Sequence, residues 1–107
     1  MEDKKHNLFS ERVVKLALSV PKGRVTTYGR IARAAGGGAM ASQSITSILS
    51  RAERAGVEGI PWHRIVYADG HVWLSPETRK ARLALYKKEG IELDEKDRIV
   101  GFEDVVI

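Results

Sequence analysis

The chain of 107 residues carries 18 basic and 14 acidic side chains, 43% apolar residues and no cysteine. This length predicts one domain over residues 1–107, with enough apolar residues for a single core and too many for a disordered chain. No apolar run reaches the ~20 residues of a membrane span and residues 1–5 lack a secretory signal, so we expect a cytoplasmic protein without a membrane partner. The lack of cysteine excludes disulfides, thiolate zinc sites and thiol nucleophiles within these residues, and we expect no metal or other cofactor.

The basic side chains are concentrated in the middle of the chain. Residues 22–64 hold seven basic and two acidic side chains, a net charge of +5, whereas residues 65–107 carry −2. Six of the seven cations are arginines, which suit phosphate and base contacts. This distribution is typical of a nucleic-acid-binding face, and a solvated surface with scattered charge is the alternative.

The first part of the chain predicts two helices separated by a break. Apolar residues over 9–20 recur at helical spacing and form one face of an amphipathic helix. Thr26 and Thr27 are good N-caps for a short second helix through Ala35. The three glycines at 36–38 cannot continue that helix and indicate a turn.

A third helix is predicted over residues 41–54. Its apolar stripe consists of Ile45, Ile48, Leu49 and Ala52. Its opposite face carries small polar or cationic side chains that can approach DNA closely, namely Gln43, Ser47, Ser50, Arg51 and Arg54. Two short helices joined by a glycine turn, the second with a polar face, indicate a helix-turn-helix.

The remaining elements complete the predicted fold class. Two short extended runs, 65–67 and 71–73, flank the turn residues 68–70 and predict a β-hairpin, the wing of a winged helix. Ser75 with the proline and acid that follow predicts the start of a helix ending at Gly90. We expect that helix to bury some of Ala81, Leu83, Leu85 and Tyr86, and the tail to cap the core. The chain is thus predicted to be a mainly α, winged helix-turn-helix DNA-binding domain with a small β-hairpin wing.

Four separated motifs, in order, resemble the O6-alkylguanine-DNA alkyltransferases. They are Pro21-x-Gly23-x-Val25, Tyr28-Gly29, Pro61-Trp62-His63-Arg64 and Glu89-Gly90. The likeness covers most of the chain, from about Phe9 to Gly90. The family has an active-site Pro-Cys-His-Arg-Val segment, and here Trp62 occupies the cysteine position, as in the alkyltransferase-like proteins.

The resemblance implies a protein that finds O6-alkylguanine in double-stranded DNA and rotates the nucleotide out of the helix. The family's enzymes then move the alkyl group to cysteine, whereas the alkyltransferase-like relatives mark the lesion for nucleotide excision repair proteins and block alkyltransferase action. The chemistry agrees, because an indole nitrogen is a poor nucleophile but can stack on or hydrogen-bond an extruded base. We therefore expect no enzymatic activity, and a monomer.

The resemblance also implies which residues form the site. The lesion pocket is expected to involve Trp62, Tyr28, Trp73, Leu74 and Ser75. The DNA-binding residues are expected to be Tyr28, Thr27, Gln43, Ser44, Ser47, Arg51 and Arg64. Because there is no thiol to activate, His63 and Glu89 are expected to remain as structural relics of the active site. Four alternatives stay open: Trp62 as a core residue, Tyr28 as a packing residue, Ser75 as a helix N-cap and Arg64 as a group that holds its loop.

One position departs from the family pattern. The family carries an arginine early in the recognition helix that fills the gap left by the extruded base, and aligning Ile45 with the family valine places Gln43 there and Thr46 at a family glycine. Gln43 can enter the base stack but brings no charge, so weaker binding with a salt dependence about one unit shallower is expected.

Two other functions compete with this interpretation. A winged-helix transcriptional regulator would use the same helix-turn-helix without Trp62, although such regulators are usually dimers and the sequence shows no dimerisation helix. A hydrolase using Ser75 or Ser42 with His63 lacks a nucleophile elbow or paired acids at suitable spacing.

Overall fold

Five helices and one small sheet make up the computed structural model, which describes the backbone of residues 2–107 and the side chains of residues 8–38 and 41–107. The α-helices are α1 (Glu2–Leu18), α2 (Tyr28–Ala34), α3 (Ile45–Arg54), α4 (Arg79–Lys88) and α5 (Phe102–Val105). The strands are β1 (Thr26–Thr27) and β2 (Ile65–Val66), and 3-10 turns cover Ala39–Ser44 and Trp62–Arg64. The mainly α fold class is confirmed. Across residues 2–107, no helix is both long and apolar enough to cross a membrane.

The first core lies between α1, α2 and α3. Its largest fully buried side chains are Val13 on α1 and Ile45 and Leu49 on α3, as the apolar spacing predicts. The N-cap is confirmed, since the Thr27 hydroxyl accepts a hydrogen bond of 3.1 Å from the Arg30 backbone N–H. The third predicted helix is divided, because residues 39–44 form a 3-10 helix and the α-helix begins at Ile45.

The turn between α2 and the 3-10 helix depends on two glycines. Gly36 has φ of +94° and ends α2, and the Gly37 N–H donates to the Ala32 carbonyl at 2.8 Å. A Cβ atom at Gly37 would lie 2.5 Å from Cβ of Ala41 and 2.8 Å from Cε1 of Phe9. Only glycine therefore allows the turn to lie so close to Ala41 of the 3-10 helix and to Phe9 of α1. This turn joins α2 to the segment that leads into α3, as the helix-turn-helix prediction requires.

The predicted hairpin wing is wrong in its strand pairing. β2 pairs in parallel with β1, with Thr26 opposite Ile65 and Thr27 opposite Val66, while His71 pairs with Arg98. All four residues of β1 and β2 are buried, so β2 is covered on both sides as in parallel sheets rather than half-exposed as in a hairpin. The turn itself is present, because the Tyr67 N–H donates to the His71 carbonyl at 3.0 Å.

The second core lies under the tail of the chain, as expected. It is formed by Val25, Val66, Val72, Tyr86, Ile91 and Ile99. The loop over residues 67–73 is held by this tail, since the Val72 N–H donates to the Asp97 carbonyl and the Ile99 N–H to the Gly70 carbonyl, both at 2.9 Å. Asp97 has φ of +60° and its carboxylate pairs with Arg79 at 3.1 Å.

Helix α4 starts and ends through the residues that the sequence indicates. The Ser75 hydroxyl accepts from the Thr78 N–H at 3.2 Å, although the regular helix starts only at Arg79. At the other end Gly90, with φ of +73°, allows the Ile91 N–H to bond the Tyr86 carbonyl at 2.9 Å. Four apolar residues of this helix were candidates for burial in the core. Only Tyr86 is buried, and Ala81, Leu83 and Leu85 are exposed.

Candidate nucleic-acid interface

A cavity of about 300 Å³ opens between the start of α2, α3, the 61–73 segment and α4. Aromatic side chains make up much of its wall, together with two hydroxyl groups and one guanidinium. The lining residues are Tyr28, Thr46, Ser50, Trp62, Ile65, Val66, Tyr67, Val72, Trp73, Arg82 and Tyr86. Its volume is at the lower end of those of small-molecule sites, and its wall combines flat apolar surface with a few polar groups.

Trp62 is fixed in this wall by a hydrogen bond. It begins the 3-10 turn after the buried Pro61, and its indole Nε1–H donates to Oε2 of Glu53 at 3.0 Å. Glu53 lies on the last turn of α3, the predicted recognition helix. The contact therefore joins residues 61–64, the PWHR segment, to α3. The ring is therefore oriented by a partner outside the cavity lining while it forms part of the cavity surface.

Two tyrosines form a second aromatic group of the cavity wall. The ring centroids of Tyr28, at the start of α2, and Tyr67 lie 5.7 Å apart at 41°. Burial raises the pKa of Tyr28, while a hydrogen bond with Thr46 opposes the change. Tyr28 is thus a neutral phenol at the start of α2 that lines the cavity together with Thr46 of α3.

Behind the cavity, Glu89 binds several donors at once. Its carboxylate accepts from Nε2 of His63 at 2.6 Å, from the Arg64 guanidinium at 2.8–3.2 Å and from the Gly23 backbone N–H at 3.0 Å. The Glu89 side chain is only 2% exposed. Burial alone would raise its pKa, but donation by Arg64, Gly23 and His63 outweighs burial and lowers the pKa of Glu89 to about 2. This cluster joins the 61–64 segment to the end of α4.

Two residues expected to contact DNA form hydrogen bonds inside the protein. The Arg64 guanidinium is bound to Glu89 and also donates to the Val20 carbonyl at 3.1 Å, so it holds its loop, which was the alternative interpretation. Thr27 is 4% exposed and its hydroxyl caps α2. Both polar groups are hydrogen-bonded inside the protein, and their assignment as DNA contacts stays a prediction.

The expected pocket residues are only partly brought together. Tyr28, Trp62 and Trp73 line the cavity, and Trp73 is 67% exposed. Leu74 packs against the second core instead, and Ser75 is buried with its hydroxyl hydrogen-bonded to Thr78. Ser75 therefore stabilises the turn before α4, whose N-cap position is Thr78.

The polar face of α3 remains available on the outside. Gln43, Ser47 and Arg51 are exposed, whereas Ser44 is half-buried and its hydroxyl donates to the Ala41 carbonyl at 2.8 Å. Gln43 lies in the 3-10 turn before α3 rather than on the helix itself. Arg51 also borders a groove between α1 and α3.

Sequence reasoning missed several of the polar groups at this site, among them Arg82, Tyr86 and Glu53. Arg82 and Tyr86 precede Glu89 by seven and three residues, so they share its helix face. Because Glu89 was already assigned to the site, this spacing could have revealed both of them. No comparable local pattern indicates Glu53, since its contact with Trp62 depends on how α3 packs.

The sequence profile described as "6-O-methylguanine DNA methyltransferase, DNA binding domain" matches residues 8–91. The chain belongs to this family. Its relatives include the DNA base-flipping proteins of Escherichia coli (strain K12) and Shigella flexneri, each 34% identical over 82 residues, or 76% of this chain. The chain spans 61% of the length of these curated relatives.

Two solved structures share the fold. They are crystal structures of S. pombe Atl1 with damaged DNA containing O6-carboxymethylguanine and of S. pombe ATL with DNA. The TM-score is 0.64 in both cases, at 19% and 20% sequence identity, and the alignments cover 100% of this chain and 96% of the other. The resemblance found from the motifs is confirmed by the family match and by these relatives.

Proposed function

We propose that this chain recognises O6-alkylguanine in double-stranded DNA without chemistry, by accepting the rotated nucleotide into the cavity beside Trp62. The position of Trp62 carries the proposal: the residue that the motif match aligns with the family's acceptor cysteine is a tryptophan, and it lines the cavity. The names of the relatives, DNA base-flipping protein and Atl1 with damaged DNA, support DNA lesions as the ligand.

The cavity has the surface that an extruded base requires. A purine has two flat apolar faces and a polar edge, and Trp62, Tyr28 and Tyr67 supply aromatic surface. Thr46 and Ser50 supply hydroxyl groups beside them. Rotation out of the duplex costs a few kcal/mol, least for a base whose pairing is already damaged, so an alkylated guanine has an advantage over guanine.

The residues around Trp62 can bind a lesion but not repair it. These 107 residues include no thiol, and the indole N–H of Trp62 is engaged by Glu53. His63 and Glu89 keep the contact expected of an active-site relay, at 2.6 Å, but Glu89 is also bound by Arg64 and Gly23. The cluster thus serves to hold the PWHR segment in place.

DNA is proposed to lie against the start of α2 and the exposed face of α3. Gln43, Ser47 and Arg51 are the exposed members of the expected DNA-binding set, and Tyr28 lines the cavity together with Thr46 of α3. Arginine contributes phosphate binding that depends on salt, while the small serine permits close approach. Gln43 is proposed as the side chain that fills the gap in the base stack.

The bound lesion is proposed to be passed on rather than reversed. A protein that holds an alkylated guanine outside the duplex both shields it from an alkyltransferase and presents distorted DNA to nucleotide excision repair proteins. Binding as a monomer in the cytoplasm completes the proposal. The test of this step is whether the chain slows alkyl transfer by an added alkyltransferase in proportion to the lesion bound.

Paired duplexes test recognition directly. Fluorescence anisotropy with otherwise identical duplexes carrying O6-methylguanine or guanine should show tighter binding to the first, with the alkyl group still present by mass spectrometry after incubation. Trp62→Ala should remove this preference, whereas Leu18→Ala, an exposed residue that does not line the cavity, should retain it. Equal affinity for both duplexes would refute the proposal. Sequence-specific binding that persists in Trp62→Ala would indicate the winged-helix regulator instead.

A further inference from the structure

Arg82 is a cationic side chain in the cavity wall, and it takes no part in the hydrogen bonds of Trp62 and Glu89. Arg82 lies on the second turn of α4 and is half-buried, in the same cavity wall as Trp62, Trp73 and Tyr86. Tyr86 follows it by four residues and therefore shares its helix face. The guanidinium thus belongs to the space proposed to hold the extruded base.

Arg82 has no anionic partner among residues whose side chains the structure describes. Within that part of the protein, the arginines of the neighbouring segments are paired: Arg64 with Glu89, Arg79 with Asp97 and Arg98 with Asp69. Arg82 forms no such ion pair there, and the cavity lining contains no aspartate or glutamate.

The charge of Arg82 acts on the groups of the cavity. Burial raises the pKa of Tyr28, and burial raises the pKa of Tyr86 to about 12, while in both cases the positive charge of Arg82 opposes the effect. The cationic head is therefore close enough to interact with two phenols of the cavity wall, one on α2 and one on α4. An unpaired cation in a partly desolvated aromatic pocket is a site for an anion.

We propose that Arg82 is a specificity-determining residue that favours O6-alkylguanines whose alkyl group ends in a carboxylate over neutral adducts of the same shape. This inference rests on the proposed function, because the ligand is the extruded base. A guanidinium binds a carboxylate through two parallel N–H···O hydrogen bonds between opposite charges. A neutral amide has no negative charge, so its hydrogen bonds to the same guanidinium are weaker. A DNA phosphate is the other anion that Arg82 could bind, and the experiment separates the two.

Two isosteric lesions measure this preference. Duplexes carrying O6-carboxymethylguanine or O6-carbamoylmethylguanine differ by one charge and hardly in shape, so the ratio of their dissociation constants cancels the contacts with the DNA backbone. The wild-type protein should bind the carboxymethyl duplex about tenfold more tightly than the amide, from the strength of a charge-assisted hydrogen bond in a half-exposed site. Arg82→Gln should reduce the ratio to about one.

The control is Lys80→Gln, which removes the same charge from an exposed position of α4 outside the cavity lining and should leave the ratio unchanged. Arg82→Lys tests the charge without the planar guanidinium and should keep part of the preference. Equal binding of the two lesions by the wild-type protein would overturn the inference. So would an equal loss of affinity for both lesions in Arg82→Gln, since this would identify a phosphate contact.

The inference and the proposed function fail in different ways. If the wild-type protein does not distinguish O6-methylguanine from guanine, the proposed function itself is wrong. If it prefers O6-methylguanine but binds the acid and the amide equally, only the role of Arg82 is wrong.

Discussion

Replacing Glu89 with glutamine removes the anion that holds the PWHR segment against α4 while preserving the shape of the side chain. Glutamine resembles the protonated acid, so the loss in the free energy of unfolding can be calculated from the change in the pKa of Glu89 on folding. The carboxyl changes from its ordinary pKa of 4.5 to about 2 in the folded protein. This difference corresponds to about 3 kcal/mol of stability supplied by the charged form, at roughly 1.4 kcal/mol for each tenfold change in proton affinity.

The effect of pH has a definite sign. Because folding lowers the pKa of Glu89, its contribution is fully present above pH 4.5 and is lost as the pH falls through 4.5 towards 2. Glu89→Gln should therefore be about 3 kcal/mol less stable than the wild-type protein at pH 7, and the two should converge near pH 2. The positive charge of Arg64, 20% exposed and left without its anion, supports a loss of this size.

Urea denaturation followed by tryptophan fluorescence measures this difference at a series of pH values. The control is Glu103→Gln on α5, an exposed position where the same substitution should change little at any pH. A difference below about 1 kcal/mol at pH 7 would show that the Glu89 cluster does not stabilise the fold. A difference that stays constant from pH 7 to pH 2 would refute the electrostatic explanation.

Three further variants test the turn, the tail and the DNA face. Gly37→Ala should destabilise the protein by about 1–3 kcal/mol in urea denaturation because its Cβ would overlap Phe9, whereas Gly38→Ala, with nothing within 4 Å, should not. Asp97→Val should cost about 1–3 kcal/mol in the same assay because a branched residue is strained at φ of +60°, and Asp97→Asn should cost less. Gln43→Arg should tighten DNA binding and steepen its salt dependence by about one unit, measured by anisotropy at several salt concentrations, and no change in either would show that Gln43 does not enter the DNA.

Much of the fold could be predicted because its local determinants lie in the sequence. Thr27 is a cap, Gly36 ends α2 and Gly90 ends α4, and each acts through hydrogen bonds to residues a few positions away. The buried stripe of α3 follows in the same way from a spacing that repeats along one helix.

The pairing of β2 could not be predicted by the same reasoning. Residues 65–66 and 71–73 flank a genuine turn, so local signals favour a hairpin. The partner chosen instead, Thr26–Thr27, lies far along the chain, and the parallel pair is stable because both cores cover it. Tertiary burial decides such a pairing, and a sequence pattern contains little information about it.

The candidate site could likewise be predicted only in part from the sequence. The motifs grouped Tyr28 with Trp62 and His63 with Glu89, and in the structure the first pair lines one cavity while the second pair lies 2.6 Å apart. They gave no information on whether a polar group points outward or is satisfied inside. Arg64 and Thr27 were assigned to DNA for that reason, and the structure has both of them bonded within the protein.

The central claim, that an alkylated guanine enters the cavity beside Trp62 and leaves unchanged, is tested most directly by a crystal structure of this protein with a duplex containing one O6-methylguanine. The account predicts density for the extruded base between Trp62, Tyr28 and Tyr67, with its methyl group intact and Gln43 in the space that the base has left. A base that remains stacked in the duplex while the cavity is unfilled would contradict the account.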